Sequence, residues 1–258
     1  MIYANILGNP IFELDQFLNL SNIDFLEKKA AIQIAKHKEK ISVAFSGPSD
    51  PRWKTWLDES TYLEVKNSWV NVEKNISKDL ADDWNSLTHD QQLYYTLLTT
   101  QSKSLNYGLA IRTINQGVGG NSGKFHLKHL SSETVDTPIK KDFDFLFDWI
   151  NDQKIFSEIG RCQIFINPEG NYTPIHRDYG DRSRKDQFIW MRFNKQKNFF
   201  LYDEESNIKH YVRGHVCTFD NYQWHGNDPS EFLGFSIRFD GLFSEQFLDL
   251  TGLNKHFY

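Results

Sequence analysis

The chain changes its hydrophobic period near residue 160. Before that point apolar residues recur at helical spacing. Over residues 21–41 they are Phe25, Leu26, Ala30 and Ile34, separated by charged positions, with Ser21, Asn22 and Asp24 available as N-caps. Trp69, Val72, Ile76, Leu80 and Trp84 form a second stripe inside a helical region over 60–101. Residues 104–114 are a candidate first strand. An amphipathic helix is predicted over 141–157, with Phe143, Leu146, Phe147, Trp149 and Ile150 on its apolar side. Beyond Gly160 the pattern becomes short apolar runs, predicting strands at 161–167, 172–178, 187–194, 198–203, 208–213, 215–220 and 232–240. Turn signals separate them, among them Asn167-Pro-Glu-Gly170, Gly180-Asp-Arg-Ser183 and Gly226-Asn-Asp-Pro229. Many short strands at this spacing predict a sandwich or barrel. The expectation is an α+β protein. A mainly helical region, 1–105, belongs to the same globular unit as a jelly-roll core over 106–258. In a jelly roll, 172–178 and 215–225 meet at one mouth.

That pattern gives chemical meaning to Thr173-Pro-Ile-His176-Arg-Asp178. Side chains on a strand alternate, so His176 and Asp178 are predicted on one side. An imidazole and a carboxylate there supply two ligands of a 2-His-1-carboxylate facial triad, which leaves open positions on ferrous iron. His225, in Tyr222-Gln-Trp-His225, is placed to be the third, and Arg238 follows in Phe235-Ser-Ile-Arg238-Phe-Asp240.

Composition narrows the picture. At 258 residues the chain can bury a sizeable core, and 15% aromatic content, with 21 Phe, predicts an aromatic-rich core and pocket. A net charge of −5 argues against a broad nucleic-acid footprint. The two cysteines, Cys162 and Cys217, lie in apolar runs and read as buried thiols, so the metal chemistry does not rest on sulfur. The N-terminus lacks the basic and apolar regions of a signal peptide, and no run reaches the roughly 18 apolar residues of a membrane span. A cytoplasmic setting is expected. Two decoys are set aside. Gly117-Val-Gly-Gly-Asn-Ser-Gly123-Lys124-Phe125 departs from a phosphate loop at Val118 and Phe125 and reads as a surface loop. His126 and His129 have metal-like spacing but no ligand cluster beside them.

The ordered set His176, Asp178, His225 and Arg238 resembles the Fe(II)/2-oxoglutarate-dependent dioxygenases. It is most similar to the branch of aspartyl/asparaginyl β-hydroxylases and small proline hydroxylases, which also carries an arginine where Arg192 stands. Ile159-Gly-Arg161 and Gly214 with Phe219-Asp220 fit the same branch, and the resemblance covers 140–242. It implies a double-stranded β-helix of cupin-like form with the N-terminal helices packed on it. It implies Fe(II) on His176, Asp178 and His225, with 2-oxoglutarate as cosubstrate and O2. The distal carboxylate of 2-oxoglutarate is expected on Arg238, with the Ser236 hydroxyl on the same face, and Arg192 is expected at the other carboxylate. The implied reaction hydroxylates an unactivated C–H of an amino-acid side chain, free or in a peptide or protein, releasing succinate and CO2. Asp178 stands where related halogenases have Gly or Ala, which favours hydroxylation. Trp190 and Trp224 are candidate walls of the substrate pocket. In the JmjC-type branch a lysine follows the His-x-Asp strand, and Lys197 lies near that position. It also reads as a turn-flanking lysine, so Arg238 is preferred. Two other readings stand beside this one: a non-catalytic jelly-roll module with a vestigial metal site, and a cupin-type metal enzyme that does not use 2-oxoglutarate.

Overall fold

The computed structural model describes residues 6, 9–37, 40, 42–43, 107–114, 128–167, 170, 172–176, 186–193, 197–229 and 234–257. The stripe expected over 60–101 and the glycine-rich loop over 117–123 lie outside them.

The architecture is two antiparallel sheets. The larger one is built on β5 (Phe156–Asn167), β7 (Phe188–Arg192), β10 (Val216–Phe219) and β12 (Gly234–Phe243), in the order β10-β7-β12-β5. The smaller has β6 (Thr173–His176), β8 (Phe199–Asp203), β9 (Ile208–Tyr211) and β11 (His225–Asn227), in the order β6-β11-β8-β9. From β5 to β8 the chain crosses between the sheets at every step. It returns to the larger sheet for β10, visits the smaller for β11 and closes on β12. This is the strand order of a jelly roll, or double-stranded β-helix. Four further strands extend the larger sheet: β1 (Ile11–Glu13) on β10, β3 (Tyr107–Ile114) on β5, and β2 (Ser42–Val43) and β4 (Thr134–Asp136) on β3.

The period of two sorts the larger sheet's side chains. Ile164 and Ile166, Ile189 and Met191, and Ile237 and Phe239 join one apolar cluster, which also holds buried residues of α1 (Ile23–Lys36) and α2 (Asp144–Asp152). Leu26, Ala30, Ala31 and Ile34 are the α1 contribution, and Leu146, Phe147, Trp149 and Ile150 that of α2. The alternate residues Phe188, Trp190, Cys217 and Phe219 join Phe199 and Leu201 of the smaller sheet in a second cluster, between the sheets. Both cysteines are buried free thiols. Among the described residues no helix is long and apolar enough to cross a membrane.

Several element ends differ from the sequence reading. The helix expected over 21–41 is α1, and its N-cap Asn22 makes no side-chain cap bond. The helix expected over 141–157 stops at Asp152. Lys154 adopts φ 55, and the chain enters β5 at Phe156, ahead of the expected 161. The two-residue β2 and the strands β1, β4 and β11 are additional to those expected. The last three have three residues each and exist through pairing with longer neighbours.

Candidate functional site

The first candidate ligand pair is set by strand register. β6 and β11 are antiparallel, with Thr173 opposite Asn227 and His176 opposite His225. Regular pairing from Thr173 would bring His176 opposite Trp224. One extra residue in β6, at Pro174–Ile175, shifts the register so that the two histidine positions face each other. Proline suits the site because a bulge residue is excused from donating to the ladder. The buried side chains of Thr173 and Asn227 are hydrogen-bonded to each other, which pins the far end of the pairing. Of the third expected ligand, Asp178, nothing is described. Among the described residues no group of three His, Cys, Asp or Glu side chains gathers to hold a metal.

His225 is buried at 5% exposure, its ring between Phe199 and Phe219 at centroid distances of 5.8 and 5.6 Å. Its Nδ1 lies 2.8 Å from the Gln223 carbonyl oxygen. A carbonyl only accepts, so Nδ1 carries the proton and the neutral ring has its lone pair on Nε2. Metal-ligating histidines are commonly oriented in this way.

Deeper between the sheets lies a cation. Lys197, at the entry to β8, is 4% exposed, and its Nζ donates to Ser236 Oγ at 2.7 Å. The ammonium also stands 5.7 Å from the centre of the Trp190 ring. Burial, and then the charge of Arg192, push the Lys197 ammonium down to about 7. Trp190 packs on Phe199 at 4.8 Å, and Phe199 touches His225. An aromatic wall therefore runs from Lys197 to His225.

The two expected arginines are engaged differently. Arg238 shares the inward row of β12 with Ser236 and Asp240. Its Nε and Nη2 each lie 2.9 Å from Asp240 Oδ1, and Nη2 lies 3.7 Å from Asp186 Oδ2. The guanidinium carbon stands 3.8 Å over the Phe188 ring. Arg161 Nε donates to Asp240 Oδ2 at 2.8 Å, and Lys128 pairs with Asp186, which also accepts from Asn221 and bonds His129. Burial alone would raise both carboxyls. The His129 bond and the Lys128 and Arg238 charges overcome this at Asp186, and Arg161, Arg238 and Lys128 overcome it at Asp240, so both are held below the usual carboxylate range. Arg192 is buried with its guanidinium on main-chain oxygens: Nη1 on Lys197 at 2.6 Å, Nη2 on Val212 and Nε on Gly214, both at 2.8 Å.

Of the two candidate wall residues, Trp190 lies between the sheets. Trp224 turns its indole N–H to Glu204 Oε2 at 3.0 Å, in the β8–β9 turn. Phe199 and Phe219, neither of them a candidate wall residue from the sequence, line the histidine instead. The ion cluster was also missed, although Arg238-x-Asp240 on one strand face is a legible sign of an ion pair. Gly160 is part of that cluster's construction: a Cβ there would come within 2.0 Å of the Lys128 carbonyl oxygen, which accepts from Arg161 N at 2.8 Å.

No protein-family model matches the chain, and neither does any curated protein. Solved structures do. One is an oxidoreductase of the 2OG-Fe(II) oxygenase family from Burkholderia pseudomallei, 11% identical at TM-score 0.35 over 52% of this chain and 67% of that one. A second is a prolyl hydroxylase from Trichoplax adhaerens, solved in complex with a hypoxia inducible factor oxygen degradation domain peptide fragment. It is 10% identical at TM-score 0.35, over 89% of this chain and 95% of that one. A cupin domain from Bordetella pertussis is 12% identical at TM-score 0.25, over 35% of this chain and 88% of that one.

Proposed function

We propose that the protein is an Fe(II)- and 2-oxoglutarate-dependent dioxygenase that hydroxylates an unactivated C–H of an amino-acid side chain, free or within a peptide or protein. The observation that carries the reading is the β6–β11 register, with His176 opposite His225 and the His225 Nδ1 proton committed to the Gln223 carbonyl. An imidazole so held is a nitrogen donor suited to ferrous iron, and Asp178 adds the carboxylate of the triad. Bound there, iron with O2 supplies the redox chemistry that couples decarboxylation of 2-oxoglutarate to oxygen insertion into the C–H bond. The chain's own residues bind and orient. His176, Asp178 and His225 hold the metal. Lys197 and Ser236 take the distal carboxylate, and Trp190 and Phe199 exclude water along the path between. Lys197 is preferred to Arg238 for that carboxylate because its neighbours are a hydroxyl and a ring, whereas Arg238 already meets Asp240 and Asp186. The reading includes a reducing, cytoplasmic setting.

The test is an anaerobic titration with Fe(II) and 2-oxoglutarate, followed by succinate measurement in air and a screen of amino acids and peptides for a product one oxygen atom heavier. His176→Ala, Asp178→Ala and His225→Ala are each expected to abolish succinate formation in a protein that remains folded. Lys197→Ala should raise KM for 2-oxoglutarate far more than Arg238→Leu does, and the reverse order returns the carboxylate to Arg238. Wild-type protein that forms no succinate points to the non-catalytic module.

A further inference from the structure

We propose that Arg192 is a positioning residue for Lys197, gripping the backbone that carries the ammonium without itself meeting the ligand. The inference rests on the dioxygenase reading only for the identity of that ligand as a dicarboxylate. Lys197 lies between β7 and β8, outside either strand, where ladder bonds do not fix it. Its carbonyl oxygen accepts from Phe199 N at 2.9 Å and from Arg192 Nη1 at 2.6 Å. Arg192 is itself fixed to a turn that is held on both sides. Its Nη2 and Nε take the Val212 and Gly214 carbonyls. The opposite polarity of the same turn is held from the N-terminal segment. The Glu13 carboxylate accepts from Arg213 N and Gly214 N, and the Asp15 carboxylate from His215 N and Val216 N.

The result is a chain of rigid connections from β1, through the 212–216 turn and the guanidinium, to the lysine. A planar guanidinium fork can hold three separated carbonyls, and an ammonium cannot reproduce that geometry. Arg192 also acts through its charge, which disfavours the protonated form of Lys197. The groups around the ammonium are Arg192 and the Trp190 ring from β7 and, from β12, the Ser236 hydroxyl. Behind Arg192 stand Glu13, Asp15 and the Cys217 thiol. A carboxylate bound at Lys197 favours the ammonium, so binding above about pH 7 takes up a proton, and affinity falls as pH rises.

The experiment measures anaerobic 2-oxoglutarate binding with Mn(II) in place of iron, from about pH 6 to about pH 9, for wild type, Arg192→Met and Arg192→Lys. Mn(II) affinity, unchanged in the variants, certifies that the protein is folded. Wild-type affinity is expected to decline above neutrality. Arg192→Met should bind about tenfold more weakly at low pH, from loss of a charge-assisted clamp, and its decline should move to higher pH because the neighbouring charge is gone. Arg192→Lys keeps a charge without the three-carbonyl grip. It should share the loss at low pH and keep the wild-type position of the decline. Wild-type affinity in either variant at low pH overturns the proposal while leaving the dioxygenase reading intact. Wild-type protein that holds Mn(II) but binds no 2-oxoglutarate at any pH overturns both.

Discussion

A lysine at 4% exposure whose polar neighbour is one hydroxyl stabilises nothing at neutral pH. Its ammonium is depressed to about 7, so the folded protein holds fewer protons at this site than the unfolded chain between that pH and the ordinary lysine value near 10.5. Stability therefore rises with pH across that interval, and the penalty is fully present below pH 7. Lys197→Met is expected to stabilise the fold at pH 6 by on the order of 5 kcal/mol, a gain that fades toward pH 10, and to lose 2-oxoglutarate binding. Urea denaturation at the two pH values checks this. A variant no more stable than wild type at pH 6 would show that the ammonium is better solvated than its burial indicates. At this scale the sequence was informative about faces but not about partners. Strand parity correctly put Ser236 and Arg238 on one face, and it also put Asp240 there, the residue that occupies Arg238. Nothing in Asn194-Lys-Gln-Lys197 distinguishes a buried cation from a solvated turn, because burial depends on how the β7–β8 connection folds back over β12.

Among the elements, the long strands were legible and the short ones were not. β7, β8, β10 and β12 are runs of apolar and aromatic residues whose alternation survives on both faces of a sheet. β11 is His-Gly-Asn, without a single good strand former, and it is a strand because β6 and β8 pair with it on either side. The extra residue in β6 was equally hidden, since a bulge is defined by the partner strand and not by its own sequence. It has a direct test. Inserting one alanine after Ile175 adds a second extra residue, so with Thr173 held on Asn227 and a single bulge His176 moves past His225 to face Trp224. The insertion variant should keep the sheet, by far-ultraviolet spectrum and cooperative unfolding, and lose Mn(II) affinity by about a hundredfold, the upper end of the range seen when the groups that orient a metal ligand are removed. Wild-type metal affinity in that variant would mean that the β6–β11 register does not align the histidines.

Across the whole molecule, one buried ion cluster joins parts of the chain that are far apart in sequence. Asp240 is 0% exposed and is bonded by Arg161 from β5 and Arg238 from its own strand, and Lys128 lies 4.0 Å away. Asp186 brings in the start of β7 and, through Asn221, the β10–β11 turn. The cluster connects to the candidate site through packed rings: Arg238 lies over Phe188, Phe188 meets Phe219 edge-on at 4.9 Å, and Phe219 touches His225. Pairing buried charges adds little net stability, but removing one partner leaves the others desolvated and uncompensated. Asp240→Asn keeps the shape and removes the charge, so it should destabilise the protein by about 3–5 kcal/mol at pH 7. The acid response follows from the same cause. Both carboxyls sit below their unfolded values, so their contribution is complete above about pH 4 and is lost as pH falls below it. Wild-type stability should drop steeply there, and Asp240→Asn, which has already lost one of the two contributions, should drop less. Urea midpoints at pH 7 and through the acid range test both halves. An Asp240→Asn variant within about 1 kcal/mol of wild type at pH 7, a cost typical of an exposed pair, would mean that water reaches the cluster and that it does not tie the sheet to the site.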